Sequence, residues 1–355
     1  MLDIIFLICF LSIGSAGLAS WVAVIWRKKR GQDLLGRLGE RNLIGSPYGL
    51  IDVFLVFFAW LGGQVIAVGV AMLIMGISQA DLDTLSGEKE AKLLGIVGLA
   101  QLVGIMVSLA VLHARYGRGR IQAIGLQPGN VAKDIALGFM TFVMVIPIVL
   151  SIQWLLALIY EYDHPSLEML NKEAHPFTFV IVWFAAGLVA PVCEEVFFRG
   201  TLQAWLQRLG PERMKSDQIL VGGWDEDGPT AKSVAKPAPV SSQGSEASAN
   251  QSGSNPYQAP QSSSYPASEY QGSEATADLQ PSSWTTQSHW PIYATAAIFA
   301  GLHIGQGAAP IPLFVLAVVL GYLYRKTESI LPCIVLHMLL NTFSLFWYTL
   351  SVLYG

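Results

Sequence analysis

The stretch PFTFVIVWFAAGLVAPVCEEVFFRG, Pro176–Gly200, decides how the chain is read. Its first eighteen residues carry no charge, and then Glu194, Glu195 and Arg199 follow within six positions. A bilayer-spanning helix needs about 20 mostly apolar residues. Ionisable groups inside such a helix are costly and usually functional. This one run therefore points both to a membrane and to a place where the membrane protein does something.

Comparable runs lie outward from it at 2–26, 49–77, 93–113, 134–160 and 329–352. Two shorter ones, 291–305 and 310–324, either span or form a re-entrant pair buried among other helices. The expected fold is all-α: a polytopic membrane helix bundle of about eight transmembrane helices with a long disordered cytoplasmic loop. Composition agrees. The 355 residues are 53% hydrophobic and 13% charged, against roughly 25% charged in soluble proteins, which excludes an ordinary soluble enzyme. A net charge of −4 offers no basic excess for nucleic acid. Cys9, Cys193 and Cys333 sit in apolar runs without paired spacing, which argues against disulfides and a Cys-rich metal site.

Loop charge orients the bundle. Six Lys and Arg fall in 27–48, four in 114–133, six in 199–236 and two in 325–326, eighteen in all; 78–92 and 161–175 hold two and one. Basic loops stay in the cytoplasm, so the N-terminus is expected on the non-cytoplasmic side. Residues 237–288 contain no Lys or Arg and are dominated by Ser, Gln, Ala, Pro and Gly. Such a composition cannot bury enough apolar surface to offset its ordering entropy. The expected organisation is N-terminal transmembrane helices at 1–133, a core in two parts at 134–210 and 291–355, and a disordered insert at 211–290. The insert around Asn255-Pro256-Tyr257 reads as bacterial, which suggests a bacterial cell membrane.

Most polar residues in the apolar runs have plain explanations. Asp52 and Asp134 lie near segment ends, where water or headgroups reach them. Gln64 suits an interhelical hydrogen bond. Three clusters remain: Glu194-Glu195 with Arg199, Phe299 with His303, and His337 with Asn341. Adjacent carboxylates in an apolar helix resist ionising together. Successive helical residues point about 100° apart. Glu195 and Arg199 are four apart and can pair along one face, which frees Glu194 to point elsewhere. Each cluster alone is also explained as a structural clasp. Together they supply acids, imidazoles and an amide from three helices, an inventory suited to water activation.

Glu194-Glu195-x-x-x-Arg199, Phe299-x-x-x-His303 and His337-x-x-x-Asn341 resemble, in order, the three motifs of the CAAX prenyl protease and bacteriocin-processing family of intramembrane proteases. The resemblance covers roughly 134–352. It implies hydrolysis of a peptide bond in a membrane-associated protein or peptide. Glu194 would activate water with His303, Glu195 and Arg199 would order the site, and His337 and Asn341 would stabilise the oxyanion. A zinc alternative uses Glu194, His303 and His337 as ligands with a fourth position open to water. The metal-free reading is favoured, because Asn341 shares a face with His337 and neutral amides are poor zinc ligands. Competing functions are a catalytically silent scaffold or bacteriocin-immunity protein, and a proton-coupled transporter. The transporter lacks support from any repeat between the halves of the chain.

Overall fold

The computed structural model describes residues 2–31, 48–85, 87–116, 125–126, 131–159, 176–209 and 289–354. These belong to one unit, Met1–Met214 with Ser288–Gly355; a second, Lys215–Gln287, lies outside the described residues, as does nearly all of the expected disordered insert. The described residues contain eight long helical segments and no strand. They are α1 (Leu2–Lys29), α2 (Leu50–Met75), α3 (Gly87–Tyr116), α4 (Val131–Ala157), α5 (Pro176–Gln207), α6 (Trp290–Gly301), α7 (Pro310–Thr327) and α8 (Leu331–Tyr354). Seven of them, all but α6, are long and apolar enough to cross a membrane. The chain is an integral multi-pass membrane protein. Apolar side chains cover its outside, with Leu73 82% exposed, as a lipid-facing surface requires.

Two boundaries differ from the sequence reading. The run 291–305 yields a helix of only 12 residues, because 302–309 turns. Gly305 and Gly307 in that turn have φ of 101° and 56°, a region that glycine enters without steric cost. Pro310 and Pro312 then open α7, where a missing N–H is harmless. Arg199 was expected at the cytoplasmic edge of its segment. Instead α5 continues to Gln207, and Arg199 is 0% exposed inside it. The helix passes through Arg199 because Glu195, one turn earlier, pairs with the guanidinium.

The ends bearing the basic loops are tied together. Asp52 at the start of α2 accepts from Tyr116 Oη at 2.6 Å and pairs with Arg115 at 3.1 Å, both at the end of α3. Asp134 at the start of α4 accepts from Ser329 Oγ at 2.7 Å, between α7 and α8. Both carboxylates are buried. They are thus satisfied by protein donors rather than by water or headgroups, a correction to the sequence reading. A carboxylate removed from water needs such partners.

Close helix approach follows from glycine and from broken hydrogen-bond ladders. A Cβ on Gly104 of α3 would collide with Ala59 O, where α2 widens into a π turn at Phe58–Gly62. Gln64 Nε2 donates back to Trp60 O at 3.1 Å, and Gln101 Nε2 of α3 donates to Gln64 Oε1 at 3.2 Å. That second bond is the interhelical one expected of Gln64. In α4, Pro147 cannot donate to Val143 O. Gly17 of α1 packs against that carbonyl, and Trp21 Nε1 donates to the adjacent Met144 O at 3.1 Å. α1 is held to α4 in this way.

Candidate active site

The sequence reads Pro176–Gly200 as a uniform helix, but α5 contains two π segments, Trp183–Val189 and Val196–Gln203, flanking the short α-helical Ala190–Glu195. π-bulges commonly mark functional sites. The first has a cause in the sequence. Pro191 has no N–H, and in the i→i+5 register the carbonyl it would serve is Ala186 O. Asn341 Nδ2 of α8 donates to that carbonyl at 2.9 Å. In the second, Thr201 Oγ1 donates to Phe197 O at 2.6 Å and to Val196 O at 3.0 Å. The acidic pair is carried on the α-helical turns between them.

Glu195 is the hub. It is 0% exposed, and its Oε2 lies 3.2 Å from Arg199 Nε. Its Oε1 accepts from Arg199 Nη1 at 3.3 Å and lies 2.9 Å from His337 Nδ1 of α8. Arg199 Nη2 donates to Ala317 O of α7 at 3.2 Å. Its guanidinium also stands over the ring of Phe299 at 5.3 Å, a contact that suits a desolvated cation. The pairing expected at the i,i+4 spacing therefore forms, and it also recruits α6, α7 and α8.

Glu194 points away from this hub. Its side chain keeps 17% exposure, and its Oε2 lies 3.8 Å from His337 Nε2. It also stands in the electrostatic field of His303. His303 lies in the turn after α6, where its Nδ1 is 2.8 Å from Phe299 O. A carbonyl only accepts, so Nδ1 carries a proton, and in the neutral imidazole Nε2 presents a lone pair. Phe299 packs between the imidazoles, with ring centroids 5.1 Å from His303 and 5.8 Å from His337. The chain Arg199–Glu195–His337–Glu194 is thus continuous, with His303 beside it.

Asn341 lies one turn beyond His337 on α8, and one amide N–H is committed to Ala186 O. Its placement links α8 to α5 one turn from His337. Three further residues have no counterpart in the sequence reading: Phe198, whose ring lies 5.1 Å from Phe299, Gln203 and Gln207. Gln203 is one turn beyond Arg199, is fully buried, and donates from Nε2 to Gly321 O at 2.7 Å. Their i,i+4 continuation of Glu195–Arg199 was visible in the sequence. Without the true end of α5, it read as a cytoplasmic loop.

Among the described residues, no three His, Cys, Asp or Glu side chains converge as a metal-holding group, Glu194, His303 and His337 included.

Far from the site, at the end of the bundle, Arg325 Nη1 donates to His289 Nδ1 at 2.5 Å. Desolvation, then Arg325 and Lys326, holds this imidazole below its usual titration range.

Comparison with known proteins agrees with the motifs. The family model "Type II CAAX prenyl endopeptidase Rce1-like" matches residues 176–222 and 276–343. This is the family that the three motifs resemble, and its match takes in all three. No curated protein and no solved structure matches the chain.

Proposed function

We propose that this protein is an intramembrane endopeptidase that cleaves a peptide bond of a membrane-associated protein or peptide with a glutamate-activated water. The observation that carries the reading is the buried chain Arg199–Glu195–His337, ending beside a partly accessible Glu194. A clasp between helices needs the first three groups. It gives no reason for a second carboxylate and a second imidazole to meet them. The family match supports the same class of reaction.

In the proposed step, water sits between Glu194 and the bare Nε2 of His303. Its oxygen adds to the substrate carbonyl carbon as its proton passes to Glu194. His337, held at Nδ1 by Glu195, turns Nε2 toward the oxygen that becomes negative and, when protonated there, donates to it. Such preorganised donors contribute a few kcal/mol in a dry site. The C–N bond then breaks, and Glu194 returns the proton to the leaving nitrogen. Arg199 holds Glu195 in place. Asn341 positions α8, and its second N–H is available to the oxyanion. The experiment that tests the reading is comparative peptidomics of membranes containing wild type or Glu194→Gln. Peptides that depend on Glu194 support it. Identical peptidomes in the two membranes would favour the scaffold.

No step above uses a metal. Activity of the purified protein should therefore persist after exhaustive treatment with a membrane-permeant chelator. Stoichiometric zinc, with activity lost on stripping and restored by adding it back, would overturn the metal-free step.

The basic ends face the cytoplasm in this reading, with the N-terminus outside and the cell membrane of a bacterium as the setting. A cysteine placed in the 79–84 connection should react with an impermeant thiol reagent added to intact cells, and one placed in 32–47 should not. The opposite pattern would invert the topology. The family match skips 223–275, so this part of the insert is additional to the shared core. Replacing 237–288 by a short linker should leave folding and turnover unchanged; loss of turnover alone would reveal a docking role.

A further inference from the structure

The turn that carries His303 leaves part of its backbone unpaired. Within it, Ile304 N–H donates to Gly301 O, Gln306 N–H to His303 O and Ala309 N–H to Gln306 O. The N–H and C=O groups of Gly305 and Gly307 take part in no hydrogen bond among the described residues. Both glycines are exposed, and Ile304 beside them is 79% exposed. A Cβ on Gly305 would meet nothing within 4 Å, so that side of the turn is open space.

This turn sits at the depth of the site. Cys333 Sγ of α8 donates to Leu320 O of α7 at 3.4 Å. The two helices are joined by a short connection and run antiparallel. Counting equally away from that contact sets Pro310, the first residue of α7, level with Phe343, the thirteenth of the 24 residues of α8. α5 gives the same depth. Arg199 and Gln203 donate to Ala317 O and Gly321 O, so α5 and α7 run parallel in one register. That register sets Pro310 level with Val192, the seventeenth of the 32 residues of α5 and two before Glu194. α5 and α8 are both long and apolar enough to cross a membrane. The turn therefore lies near the middle of two such helices, beside the carboxylates.

Irregular backbone at that depth is tolerated only where protein or water meets its polar groups. A substrate has the complementary need. In an α-helix each carbonyl is engaged by the N–H four residues on, so attack on it requires local unwinding. Unwinding in an apolar medium bares N–H and C=O groups that need partners.

We infer that Gly305 and Gly307 form the docking edge for the substrate: an unwound stretch of an apolar, membrane-inserted peptide pairs its backbone with theirs and is held there beside His303 and Glu194. Main-chain pairing supplies affinity without reading side chains. The substrate class is thus a membrane-inserted segment that unwinds easily, not one marked by a particular side chain. The role of the edge in cleavage rests on the hydrolytic reading of Glu194. Docking itself does not.

The test is photo-crosslinking of the full chain in lipid nanodiscs, with p-benzoylphenylalanine in place of the exposed Ile304 and with Glu194→Gln to prevent loss of probe by cleavage. Three probes are compared on this one protein, so its folding cannot distinguish them. The first is a Lys-flanked transmembrane peptide of about 20 Leu and Ala residues with Gly-Ala-Gly at its centre. The second has Leu-Ala-Leu there and keeps its helix. The third is the first with its central residues N-methylated, which leaves the helix weak but removes the donors. Glycine eases unwinding, so the first peptide should crosslink several-fold more than either of the others. Crosslinking of either control as strong as that of the first peptide would overturn the docking edge and leave the turn to water. Selective crosslinking, beside membrane peptidomes that do not depend on Glu194, would uphold the edge and sink the protease reading. The reverse pair of results would sink the edge and spare the protease.

Discussion

Glu194→Gln should abolish peptide hydrolysis and leave the bundle folded. The amide keeps the shape of the carboxylate and cannot take a proton from water. General-base catalysis of this kind contributes about 10²–10⁴-fold, so kcat should fall by about that factor or below detection. Folding should survive, because Glu194 makes no close ion pair. His337 Nε2 lies 3.8 Å from its Oε2, and part of the side chain reaches the surface. The measurement is cleavage rate per milligram of monodisperse protein, with a thermal scan as the control for folding. One result would exchange the roles of the two carboxylates: a folded, inactive Glu195→Gln beside a Glu194→Gln that still cuts.

Glu195→Gln should instead cost stability first. Glu195 and Arg199 are both 0% exposed, and they pair through both carboxylate oxygens. Removing one partner leaves an uncompensated guanidinium among apolar helices. Breaking a buried pair in this way typically costs about 3–5 kcal/mol. It also replaces the carboxylate that meets His337 at 2.9 Å by a neutral amide, so any protein that folds should lose turnover as well. The double variant Glu195→Met with Arg199→Met removes both charges together. It should recover much of the lost stability while remaining inactive, since replacement of a whole buried pair by apolar groups is often close to neutral. A thermodynamic cycle over the two single variants and the double one measures the coupling. Additive losses would show that the pair does not act as a unit.

These two effects differ because the neighbouring acids face different surroundings, and the sequence already implied that much. The i,i+4 spacing of Glu195 and Arg199 assigns them one face, and the 100° step places Glu194 off it. The membrane class, seven of the eight helices and the three clusters of polar residues were equally legible. Apolar length and charge-free spacing report directly on transfer into lipid. The interhelical bond of Gln64 was foreseen for the same reason: an amide at that depth needs a protein partner.

What the sequence could not decide was where a polar residue ends a helix and where it is absorbed by one. Arg199 looks like the edge of a membrane segment until Glu195, Ala317 O and Phe299 surround it. Asp52 and Asp134 look water-facing until Tyr116, Arg115 and Ser329 meet them. In each case the partner is distant in the chain, so local periodicity is silent about it. The same holds for Asn341. Its spacing suggests a site residue beside His337, but only the packing of α8 against α5 places its amide on the carbonyl left by Pro191. Apolar length determined that this protein lives in a membrane, and the polar residues inside the apolar runs marked which helices carry the three clusters. Tertiary structure alone determined which polar groups meet, because a buried charge or carbonyl is satisfied by whatever donor the fold brings to it.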